Sequence, residues 1–340
     1  EYRDPPSEAI AGLARRIARE ISTTGPIGFD HFMAAALYDA EGGYYARSTG
    51  QIGRRGDFFT SVSTGPVFGR LLATHVATCW REGGRPPRWR VLELGAHDGR
   101  LAADLLEALP QIDPDAAAAT EYAIVEPLET LAADQLARLG DRVGIVAHAG
   151  QLEPLPGILV ANEVLDALPC RLVESTGDGW MEVGVGLDPR GRFTFRSLGP
   201  AGDLAAFLPA RPAGYRTEVR SNLEDFVRGL LPAFSSVRML WIDYGYDRDD
   251  YYAEARHEGT LRTFSRHQAG DDPLEAPGSR DISAHVDFTG LREAVEACGG
   301  KVLRFENQGR FLTETARPWL CLLYTSPSPR DLNPNLGCRL

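Results

Sequence analysis

From Trp89 to Glu163 the chain alternates short apolar runs with helical stretches, and few architectures accept that texture. The apolar runs are WRVLELGAH, YAIVE, VGIVAH and GILVANE, and between them Leu101 to Leu109 and Leu128 to Leu139 carry apolar residues at helical spacing. Strands apolar on both faces and separated by helices predict a parallel sheet covered on both sides. The pattern resumes later. It brings a helix near Asn222 to Leu231, a buried strand RMLWIDYGY, a strand GTLRTF, a helix from Thr289 to Cys298 and a strand KVLRFEN.

Two regions depart from this pattern. RLVES, GWMEVGVGL and GRFTFRSL read as meandering strands around the turn Asp188-Pro189-Arg190-Gly191, an inserted hairpin at about 171–218. The first 88 residues read as helices and a loop, with no strand alternation. Ser7 precedes Ile10, Leu13, Ala14, Ile17 and Ile21 in the manner of an N-cap before one apolar helix face, and Gly25-Pro26 stops that helix. Further helices are expected over about Asp30 to Tyr38 and Val67 to Trp80, and Gly83 to Pro87 marks a boundary. The expectation is an α/β fold with a Rossmann-like core over 89–316 and a helical N-terminal extension over 1–88. Residues 317–340 carry prolines at 327, 329 and 334 and predict disorder; the stretch also resembles translated sequencing adapter, so no function is read from it.

Charge and composition narrow the function classes. The formal charge is -11 and the 36 basic residues form no dense run, which argues against a nucleic-acid partner. No window approaches eighteen uninterrupted apolar residues, so no membrane span is expected. Cys79, Cys170, Cys298, Cys321 and Cys338 form no C-x-x-C pair, which suits a reducing compartment: the cytoplasm, or the mitochondrial matrix in a eukaryote.

The sharpest chemical signal is Glu93-Leu94-Gly95-Ala96-His97-Asp98-Gly99, at the junction of an apolar strand and a helix. Glycines there let a ligand approach the backbone, and the helix N-terminus offers free N–H donors. The dinucleotide pattern G-x-G-x-x-G is absent, with His97 at its middle position, so a pyrophosphate fits poorly. A ligand presenting an amino-acid carboxylate and an adenosine fits better. Glu126 ends the next strand, where its carboxylate can accept from two ribose hydroxyls. Glu93, Gly95, Gly99 and Glu126 are therefore the candidate cofactor residues, a plain β–α turn being the alternative.

A later strand ends in Asn162, Glu163 and Asp166, at the rim where open α/β sheets bind ligands. These three are the candidate catalytic residues; the alternative makes Asp166 a helix cap and Glu163 a solvated charge. Asp57 lies on a glycine-bounded loop that could close over the cofactor, or cap the next helix. Tyr244, His285 and Asp287 are candidate substrate-binding residues, with core packing the alternative for Tyr244. The spacing of Asp281, His285 and Asp287 also suggests metal ligation, but no H-E-x-x-H or cysteine partner supports it, and no metal is assigned.

Over about Gly25 to Leu312 the chain carries stretches that resemble the MidA-like methyltransferase family, which includes the mitochondrial complex I assembly methyltransferase. The stretches that carry the resemblance are GPIGFDHFMAAALYDAEGGYY, IGRRGDFFTS, FGRLLA, ELGAHDGRLAADLL, ANEVLDALP, IDYGY, DISAHVDFTGL and NQGRFL. His97 departs from it, standing where the family commonly has glycine. The resemblance implies a class I methyltransferase fold, S-adenosylmethionine as cofactor and a protein acceptor: an arginine for the mitochondrial member, on a respiratory complex I subunit. Protonated guanidinium must lose a proton around the transfer, and Glu163 is the first choice to accept it. Three rivals stay open: a small-molecule methyltransferase, a non-catalytic assembly factor, and a metal-dependent hydrolase using Asp281, His285 and Asp287.

Overall fold

The computed structural model describes residues 7–46, 62, 65–265, 268–270 and 272–325. Helix α1 (Ser7–Thr24) buries Leu13, Ile17 and Ile21, the face its spacing predicts. A two-residue strand β1 (Ile27–Gly28) follows, although the N-terminal third shows no strand texture. Two residues are too few to show alternation, and pairing with a distant partner makes them a strand. Helices α2 (Phe29–Tyr38) and α3 (Val67–Glu82) complete this part.

The core then builds in order: β2 (Trp89–Leu94), α4 (Arg100–Ile112), α5 (Pro114–Ala119), β3 (Thr120–Val125), α6 (Glu129–Leu139), β4 (Gly144–Val146) and β5 (Leu155–Asn162). The inserted segment supplies β6 (Arg171–Ser175), β7 (Trp180–Leu187), β8 (Phe193–Pro200) and β9 (Arg216–Val219). Then come α7 (Leu223–Leu230), β10 (Phe234–Ile242), β11 (Gly245–Tyr246), α8 (Arg248–Tyr251), β12 (Arg262–Ser265), β13 (Gln268–Gly270), β14 (Asp281–Ser283), β15 (Val286–Asp287), α9 (Phe288–Ala297) and α10 (Gln308–Thr325).

The central sheet runs β10-β5-β2-β3-β4, every neighbouring pair parallel. Strand direction in sequence reverses between β2 and β5, so their carboxyl ends flank the topological switch point. Side chains alternate across the sheet: Val91, Ile158 and Val160 pack under α3 and α4, while Leu92, Leu94, Leu159 and Ala161 enter the opposite core. Burial on both faces explains the uninterrupted apolar runs.

The insertion is a second, antiparallel sheet, β1-β7-β6-β9 with β8 on β7. Helices α1 and α2 cover it, sharing one core with Cys170, Leu172, Val183 and Val185. Helix α3, by contrast, packs on the central sheet through Phe68, Leu72, Val76 and Trp80. The extension thus divides between the two sheets.

Three expectations need correction. Strand β10 is half-buried, because it forms an edge of the central sheet. Residues 301–307 form no strand: Arg304 pairs with Glu306 and Glu314, tying the segment to α10, and Val302, Leu303 and Phe305 are exposed. The disorder expected from residue 317 does not begin there. Helix α10 continues through Pro318 to Thr325, stopping short of the proline at 327; residues 326–340 lie outside the described residues.

Candidate functional site

A cleft of about 380 Å³ opens at the switch point, large enough for a nucleoside-sized ligand. Its floor is the turn from β2 into α4. Gly95 (φ +64°) and Gly99 (φ +72°) adopt the left-handed conformation that favours glycine. At Gly95 space matters as well, since an added Cβ would stand 2.7 Å from Val164 Cγ2. The glycine therefore lets this turn close onto the turn that leaves β5. His97 is itself left-handed, at φ +45°. Burial lowers its pKa, which keeps the imidazole neutral, and its Nε2 is buried with no hydrogen-bond partner.

Glu93 and Glu126 line one end of the cleft, from the carboxyl ends of β2 and β3. Glu93 is 2% exposed and accepts from Tyr122 Oη at 2.6 Å; burial pushes its pKa up to about 7. Glu126 accepts the Leu128 N–H and the Gln135 amide, each at 3.0 Å and on different oxygens. Burial raises its pKa too. Each oxygen accepts one of these bonds, and a carboxylate can accept about four in all, so capacity for two hydroxyls remains. Gln135 also donates to the His97 carbonyl at 3.1 Å, locking the glycine turn to the Glu126 carboxylate.

The turn after β5 forms the other wall, with Asn162, Glu163 and Asp166 all lining the cleft. Glu163 is left-handed at φ +53°, an uncommon state for a side chain of this kind and one that concentrates at functional turns. Asn162 Nδ2 lies 3.5 Å from Glu163 Oε1, at the limit of a hydrogen bond, and Asn162 Oδ1 is buried without a partner. Asp166 is 5% exposed; Tyr244 donates to its Oδ2, while Oδ1 is buried and unpartnered. Asp166 caps no helix.

Of the three candidate substrate residues, Tyr244 reaches the site through Asp166, and His285 packs edge-on against Tyr244 with ring centroids 5.6 Å apart. Asp287 does not line the cleft: it caps α9, accepting the Thr289 N–H at 3.0 Å, and lies 3.5 Å from Arg248. Asp57 lies outside the described residues. Among the described residues no three His, Cys, Asp or Glu side chains gather in a group that could hold a metal ion.

Several residues of the site were not singled out from sequence, and Asp281 was weighed there only as a metal ligand. Tyr38, Tyr45 and Asp281 line the cleft, and Tyr45 Oη donates to Asp281 Oδ1 at 2.9 Å. Asp243 and the half-buried Arg220 hold the backbone of the turn after β5. The repeated aromatic in GGYY and the acid after β10 were visible, but only the fold gives them a common target.

The described carboxylates, orphaned acceptors and glycine turn fit an adenosine-bearing ligand with a cationic end. Glu126 suits a ribose, the Gly95–Asp98 turn an amino-acid tail, and the acidic walls a positive charge.

Comparison with known proteins agrees. Residues 71–306 match a family model described as putative S-adenosyl-L-methionine-dependent methyltransferase. The chain is 30% identical to the mitochondrial protein arginine methyltransferase NDUFAF7 homolog of Drosophila melanogaster, over 88% of this chain and 74% of that protein. The mouse protein arginine methyltransferase NDUFAF7 is 29% identical, over 87% of this chain and 72% of its own length. A "likely methyl transferase" from Burkholderia thailandensis, solved with S-adenosyl-homocysteine bound, superimposes with a TM-score of 0.84 at 35% identity, covering 96% of this chain and 87% of that one.

Proposed function

We propose, for a chain that belongs to the family of putative S-adenosyl-L-methionine-dependent methyltransferases, that its acceptor is a cationic protein side chain, an arginine guanidinium. One observation carries the proposal. Glu93, Asp98, Glu126, Glu163, Asp166 and Asp281 line the cleft, and no lysine or arginine is among its described lining residues. Asp98 is already paired with Arg100 and Arg138, and the remaining acids favour cations over phosphates. The names of the Drosophila and mouse relatives supply independent support.

The cofactor supplies an electrophilic methyl on a sulfonium; the chain has to align, dehydrate and deprotonate the acceptor. Glu126 holds the ribose end, Glu93 and the glycine turn the amino-acid end, and Asn162 and Glu163 stand at the switch point between them and the acceptor wall. Glu163 accepts the guanidinium proton, because its strained turn aims it at the cleft while the neighbouring acids keep the acceptor oriented. A respiratory complex I subunit, the acceptor implied by the family resemblance, is the first protein to test. We place the reaction in a reducing compartment, the cytoplasm or a mitochondrial matrix, because Cys79, Cys170 and Cys298 are free thiols.

The test is transfer of labelled methyl from S-adenosylmethionine to arginine-bearing and lysine-bearing peptides and to whole lysate, resolved by mass. Label on arginine is expected. Label confined to small metabolites would replace the proposal with a small-molecule enzyme. Cofactor binding without any transfer would favour a scaffold.

A further inference from the structure

Asp281 enters the cleft from β14 and Asp166 from the turn after β5, and both line it. The two are 4% and 5% exposed. Each is steadied by a tyrosine: Tyr45 Oη donates to Asp281 Oδ1 at 2.9 Å, and Tyr244 Oη donates to Asp166 Oδ2. Tyr45 also stacks on Tyr38, with ring centroids 5.5 Å apart, and Tyr38 Oη donates to the Ala167 carbonyl at 2.9 Å. The aromatic pair thus ties the β14 acid to the turn that carries Asp166. Asp166 Oδ1 is buried on the cleft wall with no hydrogen-bond partner. An orphaned carboxylate oxygen of that kind is costly, and an arriving donor offsets the cost.

We propose that Asp166, Asp281, Tyr38 and Tyr45 form the acceptor subsite, a slot shaped for a planar guanidinium. The proposal rests on the arginine reading above and says which residues would select that group. A guanidinium presents five N–H donors in one plane, so it can bond two carboxylates held on different elements while its flat face lies along an aromatic ring. A lysine ammonium is a compact, strongly hydrated point charge and makes poorer use of such a wall. Asp166 and Asp281 seat the acceptor in this scheme; proton removal stays with Glu163. Burial raises the pKa of Asp166, and a seated cation opposes that shift.

The test is calorimetric binding of agmatine, a free guanidinium probe, to the full chain saturated with S-adenosyl-homocysteine, with 1,4-diaminobutane as the ammonium counterpart. Wild type should bind agmatine at least tenfold more tightly than the diamine. Asp281→Asn, nearly isosteric, should weaken agmatine about tenfold or more, the scale of one charge-assisted hydrogen bond, with cofactor affinity changed less than threefold. Tyr45→Phe removes only the hydroxyl that steadies Asp281 and should weaken agmatine by a smaller factor; it also decides the matter if Asp281→Asn fails to fold. Equal binding of agmatine and diamine, or unchanged agmatine affinity in both variants, overturns the subsite. Agmatine binding at Asp281 without methyl transfer to any arginine peptide would keep the subsite and overturn the enzymatic reading beneath it.

Discussion

Asp243 Oδ2 accepts the backbone N–H of Leu165 at 2.9 Å, so the acid just past one strand dictates the shape of the turn leaving its neighbour. The same oxygen accepts Val164 N–H at 3.1 Å and Asp166 N–H at 3.3 Å. From the other side the half-buried Arg220 donates to the carbonyls of Asp166 and Ala284 at 2.8 Å, His285 at 2.7 Å and Leu168 at 3.2 Å. Neither residue lines the cleft, yet together they fix the segment that carries Glu163 and Asp166. Asp243→Ala strands three part-buried N–H groups beside Arg220. Unfolding free energy should fall by about 2–4 kcal/mol in denaturant titration. Asp243→Asn retains an acceptor oxygen in place and should lose less. A loss below about 1 kcal/mol for the alanine variant would show that Arg220 alone suffices.

Gly95 can be tested apart from the charges. Alanine there meets two obstacles, a left-handed backbone costing about 1 kcal/mol and a Cβ 2.7 Å from Val164 Cγ2. Gly95→Ala should therefore weaken S-adenosylmethionine binding, read by calorimetry, by about tenfold or more. Adding Val164→Ala relieves the contact and not the backbone, so the double variant should recover only part of the affinity. Full recovery, or none, would mean that one of the two obstacles is absent.

The sequence made visible what local periodicity and glycine placement determine. The parallel strands, the turn at Gly95, the acid at Glu126 and the rim at Asn162 to Asp166 are all local patterns read at strand ends. What stayed hidden depends on partners far along the chain. Arg220 is one arginine among many until the fold brings four carbonyls to it. Strand β1 exists because Ile27 and Gly28 meet Val185 and Gly184, more than a hundred residues away. Residues 301–307 have strand-like composition, but the ion pairs of Arg304 with Glu306 and Glu314 hold them elsewhere. Asp287 looks like a site acid from its motif and is a helix cap in its local geometry.

Glu93 supplies a pH signature. Burial holds its carboxyl at about 7, whereas an unfolded glutamate ionises near 4.3. Between about 4.3 and 7 the folded chain keeps a proton that the unfolded chain has lost, so this group's contribution to stability falls as pH rises through that window. A cationic ligand favours the ionised form. Cofactor affinity should therefore rise by up to about tenfold per pH unit as pH approaches 7 from below, then level off. Calorimetry from pH 5.5 to 8.5 should show the break in the wild type and a flat profile in Glu93→Gln. A break that persists in the variant would assign it to another group.

Glu163 separates an enzyme from a scaffold, and its backbone sharpens the test. At φ +53° it sits in a conformation that glycine adopts without strain. Selection for folding alone would not hold a glutamate there. Glu163→Gly should thus leave the melting temperature unchanged or raise it, while removing methyl transfer. Glu163→Gln keeps the shape and loses the basicity; without general-base assistance the single-turnover rate should fall by roughly 10²–10⁴-fold. Cofactor affinity should move less than about threefold in both variants, because the carboxylate acts on the acceptor's proton and not on the ribose or the amino-acid tail. The paired measurement is a dissociation constant and a single-turnover rate for each protein. If affinity collapses together with the rate, Glu163 belongs to the cofactor's grip and Asp166, with its unpartnered Oδ1 on the same wall, becomes the better base.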